Sequence, residues 1–335
     1  MHAFIAAIGT ANKQFDAHVG AASEPMRELT SPDATVRLAV AMPRGVVASA
    51  RRDARSVAAL GSVVQLVGPD IAEQLLDRYE RDPLGILDGL PDDIVVVVAD
   101  EDAGTLTVGA GRGNHRIFAK ELDDGALLST HLATLAAALG PELEVAREYE
   151  DFYCGFGFFP DGQSVYRGIA TCPPGQVRTL PEGATRAIEG VEVDYVDLDL
   201  NDPASVSRAL HDAFFTALEE QAGDQRRHAV LLGGFDSALV AAGLRRLGHD
   251  VDCYTFGFGD AEYEQRNVQL VTDTIGAAQS WVQFTPELIG DLLEHFDESF
   301  NQPGPQPHYQ LHTLHASRVI AADGHTHVFL SLIHI

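Results

Sequence analysis

At 335 residues, 45% hydrophobic and 21% charged, the chain has the composition of a globular protein and the length to bury two separate cores. A net charge of −26 argues against nucleic acid or an anionic membrane surface as partner, since both would be repelled. Any site for a polyanion would therefore need locally placed donors and a metal ion. Lys13 and Lys120 are the only lysines, and Cys154, Cys172 and Cys253 lack metal-ligand spacing, as expected of reduced thiols in a cytoplasmic protein. Residues 1–9 carry no basic signal-peptide region, and the longest apolar runs, 94–99 and 132–139, are too short to span a bilayer.

In chain order, the first half reads as short strands with few helices. Residues 2–8 form an apolar strand, 70–80 (DIAEQLLDRYE) an amphipathic helix, and 93–99 (DIVVVVA) a buried strand. A strand at 105–108, a glycine-rich turn at 109–113, a strand at 116–119 and a helix over 128–139 follow. The segment 151–180 carries the aromatic and Gly/Pro punctuation of β-structure. The polar stretch 197–203 (DLDLNDP) ends in proline and marks a domain boundary, giving domains 1–197 and 203–335.

The second half alternates helix and strand. A helix over 204–221 places Ala209, Phe214, Ala217 and Leu218 on one face. Strands at 228–232, 251–256, 280–284 and 327–330 are separated by helices at 237–247, 266–275 and 307–322. This rhythm predicts a parallel sheet with covered faces.

The string 230–238, VLLGGFDSA, falls between a strand and a helix, where open parallel sheets bind ligands. Gly233 and Gly234 lack Cβ, so their amides can approach phosphate oxygens and adopt positive φ. The following helix aims its N–H groups and positive dipole end at the same place. Ser237 can add a hydroxyl donor, and Asp236 can hold the Mg²⁺ that a nucleotide brings. The plainer reading is a tight turn with Asp236 or Ser237 capping the helix. A Walker P-loop is excluded, because no lysine lies beyond Lys120.

With its strand, this loop resembles the Ser-Gly-Gly-x-Asp-Ser pyrophosphate loop of ATP pyrophosphatases, as found in asparagine synthetases and β-lactam synthetases. Residues 253–258 (CYTFGF) are similar to that family's second strand, 262–264 to its acidic loop, and 327–331 (HVFLS) to the strand before its second phosphate motif. The resemblance implies that Gly233, Gly234 and Ser237 hold the pyrophosphate of ATP and that Asp236 binds Mg²⁺. Leu232 stands where the loop's first serine is usual.

The first half resembles the class II glutamine amidotransferase domain of the same families. The likeness lies in the element order of 67–113, in 113–119 (GNHRIFA, with Arg116 in place of proline) and in 172–180 (CPPGQVRTL). The fold class implied is an α+β amidotransferase-like sandwich followed by an α/β, adenine-nucleotide-hydrolase-like ATP-pyrophosphatase domain. That amidotransferase uses a cysteine at position 2, where this chain has His2. No Asn-Gly-Glu segment is found, and Gly109–Ala110 replace the usual Arg-Asp pair. Histidine cannot form the thioester, so glutamine hydrolysis is not expected and the domain reads as structural.

Three further signals are weaker. His308, His312 and His315 share a helix face near zinc-ligand spacing, though surface or core histidines are commoner. Residues 109–113 (GAGRG) precede a strand and not a helix, so they do not form a dinucleotide loop. Asp297 and Glu298 read as a solvated face. After Ser331 the family continues with glycine and a second acidic ligand, whereas here LIHI follows. On the resemblance, that second carboxylate and the family's catalytic lysine are expected outside this chain.

Together these features predict an ATP- and Mg²⁺-dependent, adenylate-forming ligase joining a small-molecule or peptide carboxylate to an amine or ammonia. Its catalytic residues are unassigned, and a homodimer is left open. A non-catalytic nucleotide-binding or scaffold protein is the alternative.

Overall fold

The computed structural model describes residues 4–21, 26–41, 47–61, 70–113, 116–141, 143–160, 162–181, 183–189, 199, 201–258, 262–296, 300, 304 and 307–330. His2, Asp297, Glu298, Ser331 and 332–335 lie outside the described residues. Two compact units divide the chain: Met1–Glu192 with Asp297–Pro305, and Val193–Phe296 with Gln306–Ile335.

The first unit opens with β1 (Phe4–Gly9), α1 (Asn12–Ala21), β2 (Met26–Glu28), β3 (Val36–Ala41), β4 (Val47–Arg52), β5 (Arg55–Leu60) and α2 (Ile71–Arg81). It continues through β6 (Val95–Asp100), β7 (Thr105–Ala110), β8 (Ile117–Leu122), β9 (Gly125–Ser129), α3 (Leu132–Leu139), α4 (Glu150–Phe156), β10 (Ala170–Cys172), β11 (Gln176–Leu180) and β12 (Thr185–Ala187). The strands form two six-stranded sheets, ordered β10-β8-β9-β1-β3-β2 and β12-β11-β7-β6-β5-β4, and every named pair is antiparallel.

Alternate side chains of each strand enter different cores, because a strand turns successive residues to opposite faces. Phe4, Ala6 and Ile8 meet Val95, Val97 and Ala99 between the sheets. Ile5 and Ala7 pack with Phe15 of α1 and Leu135 of α3, while Val96 and Val98 pack with Leu75 and Leu76 of α2. The result is two sheets face to face with helices outside. Burial on both faces explains why β1 and β6 read as unbroken apolar runs.

Several expectations for this unit need correction. Residues 128 and 129 are strand and not helix, because Leu128 and Ser129 complete the β9 ladder with β1 and the helix starts only after the cap at His131. The 151–180 segment begins as the helix α4, which ends at Gly157 in a left-handed conformation (φ 77°). Of the expected glycine-rich turn, Gly109 and Ala110 belong to β7, paired with Val96 and Val95. Gly111 is required by close approach, since a Cβ there would lie 2.1 Å from the Asp92 carbonyl oxygen.

The second unit contains α5 (Pro203–Ala222), β13 (Arg227–Leu231), α6 (Phe235–Arg246), β14 (Asp250–Phe258), α7 (Glu262–Ile275), β15 (Ala278–Phe284), α8 (Pro286–Glu294), α9 (Pro307–Ala322) and β16 (Val328–Phe329). Its sheet, ordered β15-β14-β13-β16, is parallel at every pair. Leu218 of α5, Val240 and Leu244 of α6 and Val268 of α7 cover Val230, Val251 and Cys253 on one face. Ala316 and Ile320 of α9 cover Ala229, Tyr254 and Val282 on the other. On α5 the expected apolar face is narrower: Leu218 is buried but Ala217 is exposed.

From β13 the chain steps outward to β14 and β15, then returns to place β16 on the opposite side of β13. This reversal between β13 and β16 is a topological switch point, where the loops leaving two neighbouring strands part and open a crevice.

Candidate functional site

The loop leaving β13 sits at that switch point. Leu232 N–H bonds the Tyr254 carbonyl at 2.7 Å, and Thr255 Oγ1 donates to the Leu232 carbonyl at 2.7 Å. Leu232 is buried and packs with Val230, Val240 and Cys253. Where the resembled loop offers a hydroxyl, this chain offers an apolar anchor that fixes the loop to the core.

Gly233 and Gly234 are exposed. The positive φ expected of them is absent: neither is among the positive-φ glycines, and Gly234 has φ −142°, ψ −169°, which is ordinary extended backbone. A Cβ added at either would meet no atom within 4 Å. The absent side chains therefore leave space in front of the loop without relieving any internal crowding.

Gly234 is the N-cap of α6, and the first ladder bond runs from Ala238 N–H to the Gly234 carbonyl at 3.1 Å. The amides at 235–237 precede that ladder at the positive end of the helix dipole. Ser237 is 2% exposed. Its Oγ accepts from the amides of Gly233 (3.0 Å) and Gly234 (3.1 Å) and donates to the Gly234 carbonyl (3.0 Å). The hydroxyl expected to donate to a ligand is thus engaged within the loop, and the cap expected at Asp236 or Ser237 falls instead on Gly234, with Ser237 bonding back to it from the third helical position. Asp236 is half-buried in the first turn of the helix.

The loop opens into a cleft of about 530 Å³, within the range of small-molecule sites. Three of the four expected loop residues, Gly233, Gly234 and Ser237, line it, together with Thr255, Phe256 and Gly257 from the carboxyl end of β14 and Asn267 from α7. The α9 wall brings His308, Tyr309, His312 and Thr313. Gly257 is required by packing, since a Cβ there would lie 2.1 Å from the Trp281 ring.

His312 is 3% exposed, with ring centroids 4.8 Å from Phe256 and 4.4 Å from Phe284. Burial, with His308 nearby, holds its pKa below the ordinary imidazole value. Of the three histidines considered for zinc, His308 and His312 line the cleft, whereas His315 Nε2 lies 3.2 Å from the Gln283 carbonyl. Among the described residues no group of three or more His, Cys, Asp or Glu side chains could hold a metal. Asp236, the loop residue expected to hold Mg²⁺, is not among those that line the cleft.

On the α9 wall the sequence offers only the histidine spacing, as a zinc signal; Tyr309, Thr313 and Thr255 were not anticipated as site residues. Thr255 carried no local signal, because its role depends on being beside Leu232 across the β13–β14 ladder.

The thiols lie elsewhere. Burial pushes Cys172 up to about 11 and Cys253 up to about 12, so both stay protonated at neutral pH and are poor nucleophiles. Cys154, on α4, is exposed. No described helix is long and apolar enough to cross a membrane.

A parallel sheet with a glycine loop, a helix N-terminus and a ligand-sized cleft at its switch point makes the second unit an α/β arrangement with a candidate ligand site. Comparison with protein families agrees: residues 209–331 match the family model of asparagine synthase. That segment, which begins within α5 and covers most of the second unit, is similar to asparagine synthase, a family of ATP-dependent amide-forming ligases. The match does not extend to residues 1–208, and no curated protein matches the chain.

Proposed function

We propose that the second unit binds Mg-ATP at 232–237 and activates a carboxylate for capture by an amine. The observation that carries this reading is the open space at Gly233 and Gly234, at the start of α6 and facing the cleft, within the asparagine-synthase-like segment. ATP is a co-substrate in this scheme. An oxygen of the acid attacks the α-phosphorus, the bond to the β-phosphate oxygen breaks, and pyrophosphate leaves. The amine nitrogen then attacks the acyl carbon and loses a proton, and AMP departs with the electron pair of the cleaved bond.

Bound Mg²⁺ would neutralise phosphate charge, and Asp236 is the residue that would hold it. The chain's own contribution is positional. Leu232 and Thr255 fix the loop, Ser237 sets its curvature, and α6 presents its amides to phosphate oxygens. The α9 wall of His308, Tyr309 and His312 would flank the remainder of the bound molecules.

The layered antiparallel first unit is compatible with the amidotransferase-like reading, and the loss of thiol chemistry in that reading rests on His2. A second reading of the whole chain, nucleotide binding without catalysis, is favoured by Leu232, which supplies core packing where the resembled loop supplies a donor. Isotope exchange between pyrophosphate and ATP across a panel of carboxylic acids separates the two. Exchange dependent on one acid supports the ligase, binding without exchange supports the alternative, and absence of ATP binding removes both.

A further inference from the structure

At the opposite, amino-terminal edge of the parallel sheet lies a cluster of imidazoles that the proposed reaction does not use. His228 on β13 and His249, just before β14, are buried, 4% and 8% exposed. His228 Nε2 lies 3.2 Å from His249 Nδ1, and both nitrogens reach the same acceptor, the Gln225 carbonyl, at 3.1 and 2.9 Å. The carbonyl only accepts, so a nitrogen bonded to it donates, whereas the contact between the rings needs one of these two nitrogens to accept; with both rings doubly protonated no acceptor is left between them.

The surroundings offer little to stabilise added charge. Phe329 of β16 presents a ring edge-on to His228 at 5.4 Å. His325 and His327, from the α9–β16 connection, oppose a charge on His228, as does His249. The near carboxylate, Asp252 on β14, is held by Arg227 at 2.6 Å and His325 at 2.9 Å. Asp250 is paired with Arg245 at 3.1 Å. Burial and these neighbours hold the His228 pKa below the ordinary imidazole value.

We propose that His228, His249 and the Gln225 carbonyl form an acid-sensitive clasp that joins the α5–β13 and α6–β14 connections and releases them on protonation. Ring centroids 4.8 Å apart cannot both carry charge under cover without strong repulsion. The sign follows from linkage. In the unfolded chain His228 titrates at its ordinary value, about 6.5, and in the folded chain below it. The unfolded state then binds more protons across that window, and stability is lost as pH falls through it. The opposite trend is expected of the chain as a whole, because at −26 added protons relieve self-repulsion.

Thermal unfolding of the full chain tests this, followed by fluorescence of Trp281, the sole tryptophan, which lies on β15 in this unit. The expected result is a midpoint that falls by about 3 °C or more from pH 7.5 to pH 5.5, with the fall at least halved in His249→Gln. Proton NMR titration of the wild-type imidazoles gives a second measurement that does not depend on a variant folding. His228 should remain neutral where exposed histidines have titrated. A midpoint that rises or holds on acidification, an unchanged fall in the variant, or ordinary titration of His228 would each overturn the clasp.

Discussion

The Oγ of Ser237 accepts hydrogen bonds from the amides of Gly233 and Gly234 at 3.0 and 3.1 Å, so one buried hydroxyl fixes the curvature of the loop that leaves β13. Replacing it with alanine removes the brace and a cap-like contact of α6, which is worth roughly 0.5–2 kcal/mol. Ser237→Ala should therefore lower unfolding stability by about 1 kcal/mol and weaken Mg-ATP binding as well. Ser237→Thr, which keeps the hydroxyl, should recover both in part. Denaturant titration and calorimetry make the two measurements.

Gly233 tests the open space directly. A methyl group there meets no atom within 4 Å and the backbone is not at positive φ, so Gly233→Ala should fold within about 0.5 kcal/mol of wild type. Under the proposed function the same methyl intrudes where a phosphate oxygen approaches, and Mg-ATP affinity should fall about tenfold or more, a loss of about 1.4 kcal/mol. If affinity is unchanged, phosphate does not pass over this glycine.

These residues also show how far the sequence could be read. The second unit was legible because its helices and strands alternate with clear apolar periodicity and because 230–238 carries a recognisable loop. The environment of Ser237 was not legible: a hydroxyl three residues after an N-cap can serve ligand or loop, and only the distances to Gly233 and Gly234 decide. In the first unit, α1 and β2 to β5 were missed; at β5, burial on both faces, as at Ala58 and Ala59, erases polar alternation. On α4, Phe152 and Phe156, with ring centroids 4.7 Å apart, gave a strand-like composition to what is a helix. The α9 wall was reduced to a histidine spacing because Phe256 and Tyr309 approach each other only in three dimensions.

Glutamine should not be hydrolysed. Thioester formation needs a thiolate, and burial holds Cys172 up to about 11 and Cys253 up to about 12. Incubation with glutamine, with and without ATP, should release glutamate only at the buffer rate. Release above that rate that disappears in Cys154→Ala would assign the chemistry to the exposed thiol on α4.

Asp236→Asn separates charge from shape. The residue lies in the first turn of α6, where a carboxylate already favours the positive end of the helix dipole and where a Mg²⁺ accompanying phosphate would need an anionic oxygen. Asparagine keeps the size and one acceptor but removes the negative charge. Loss of a charge-assisted contact costs on the order of 1–3 kcal/mol, so Mg-ATP affinity should fall between about fivefold and about a hundredfold. Two effects oppose each other when ATP is supplied without the metal. The variant lacks an ion ligand, but it also lacks a charge that repels the triphosphate, so the difference from wild type should shrink or reverse in excess chelator. Calorimetric titration of both proteins, with Mg²⁺ and with chelator, reads the two conditions. A loss of equal size in both would place Asp236 in the architecture of the loop and not on the metal, and equal affinities throughout would remove it from the site.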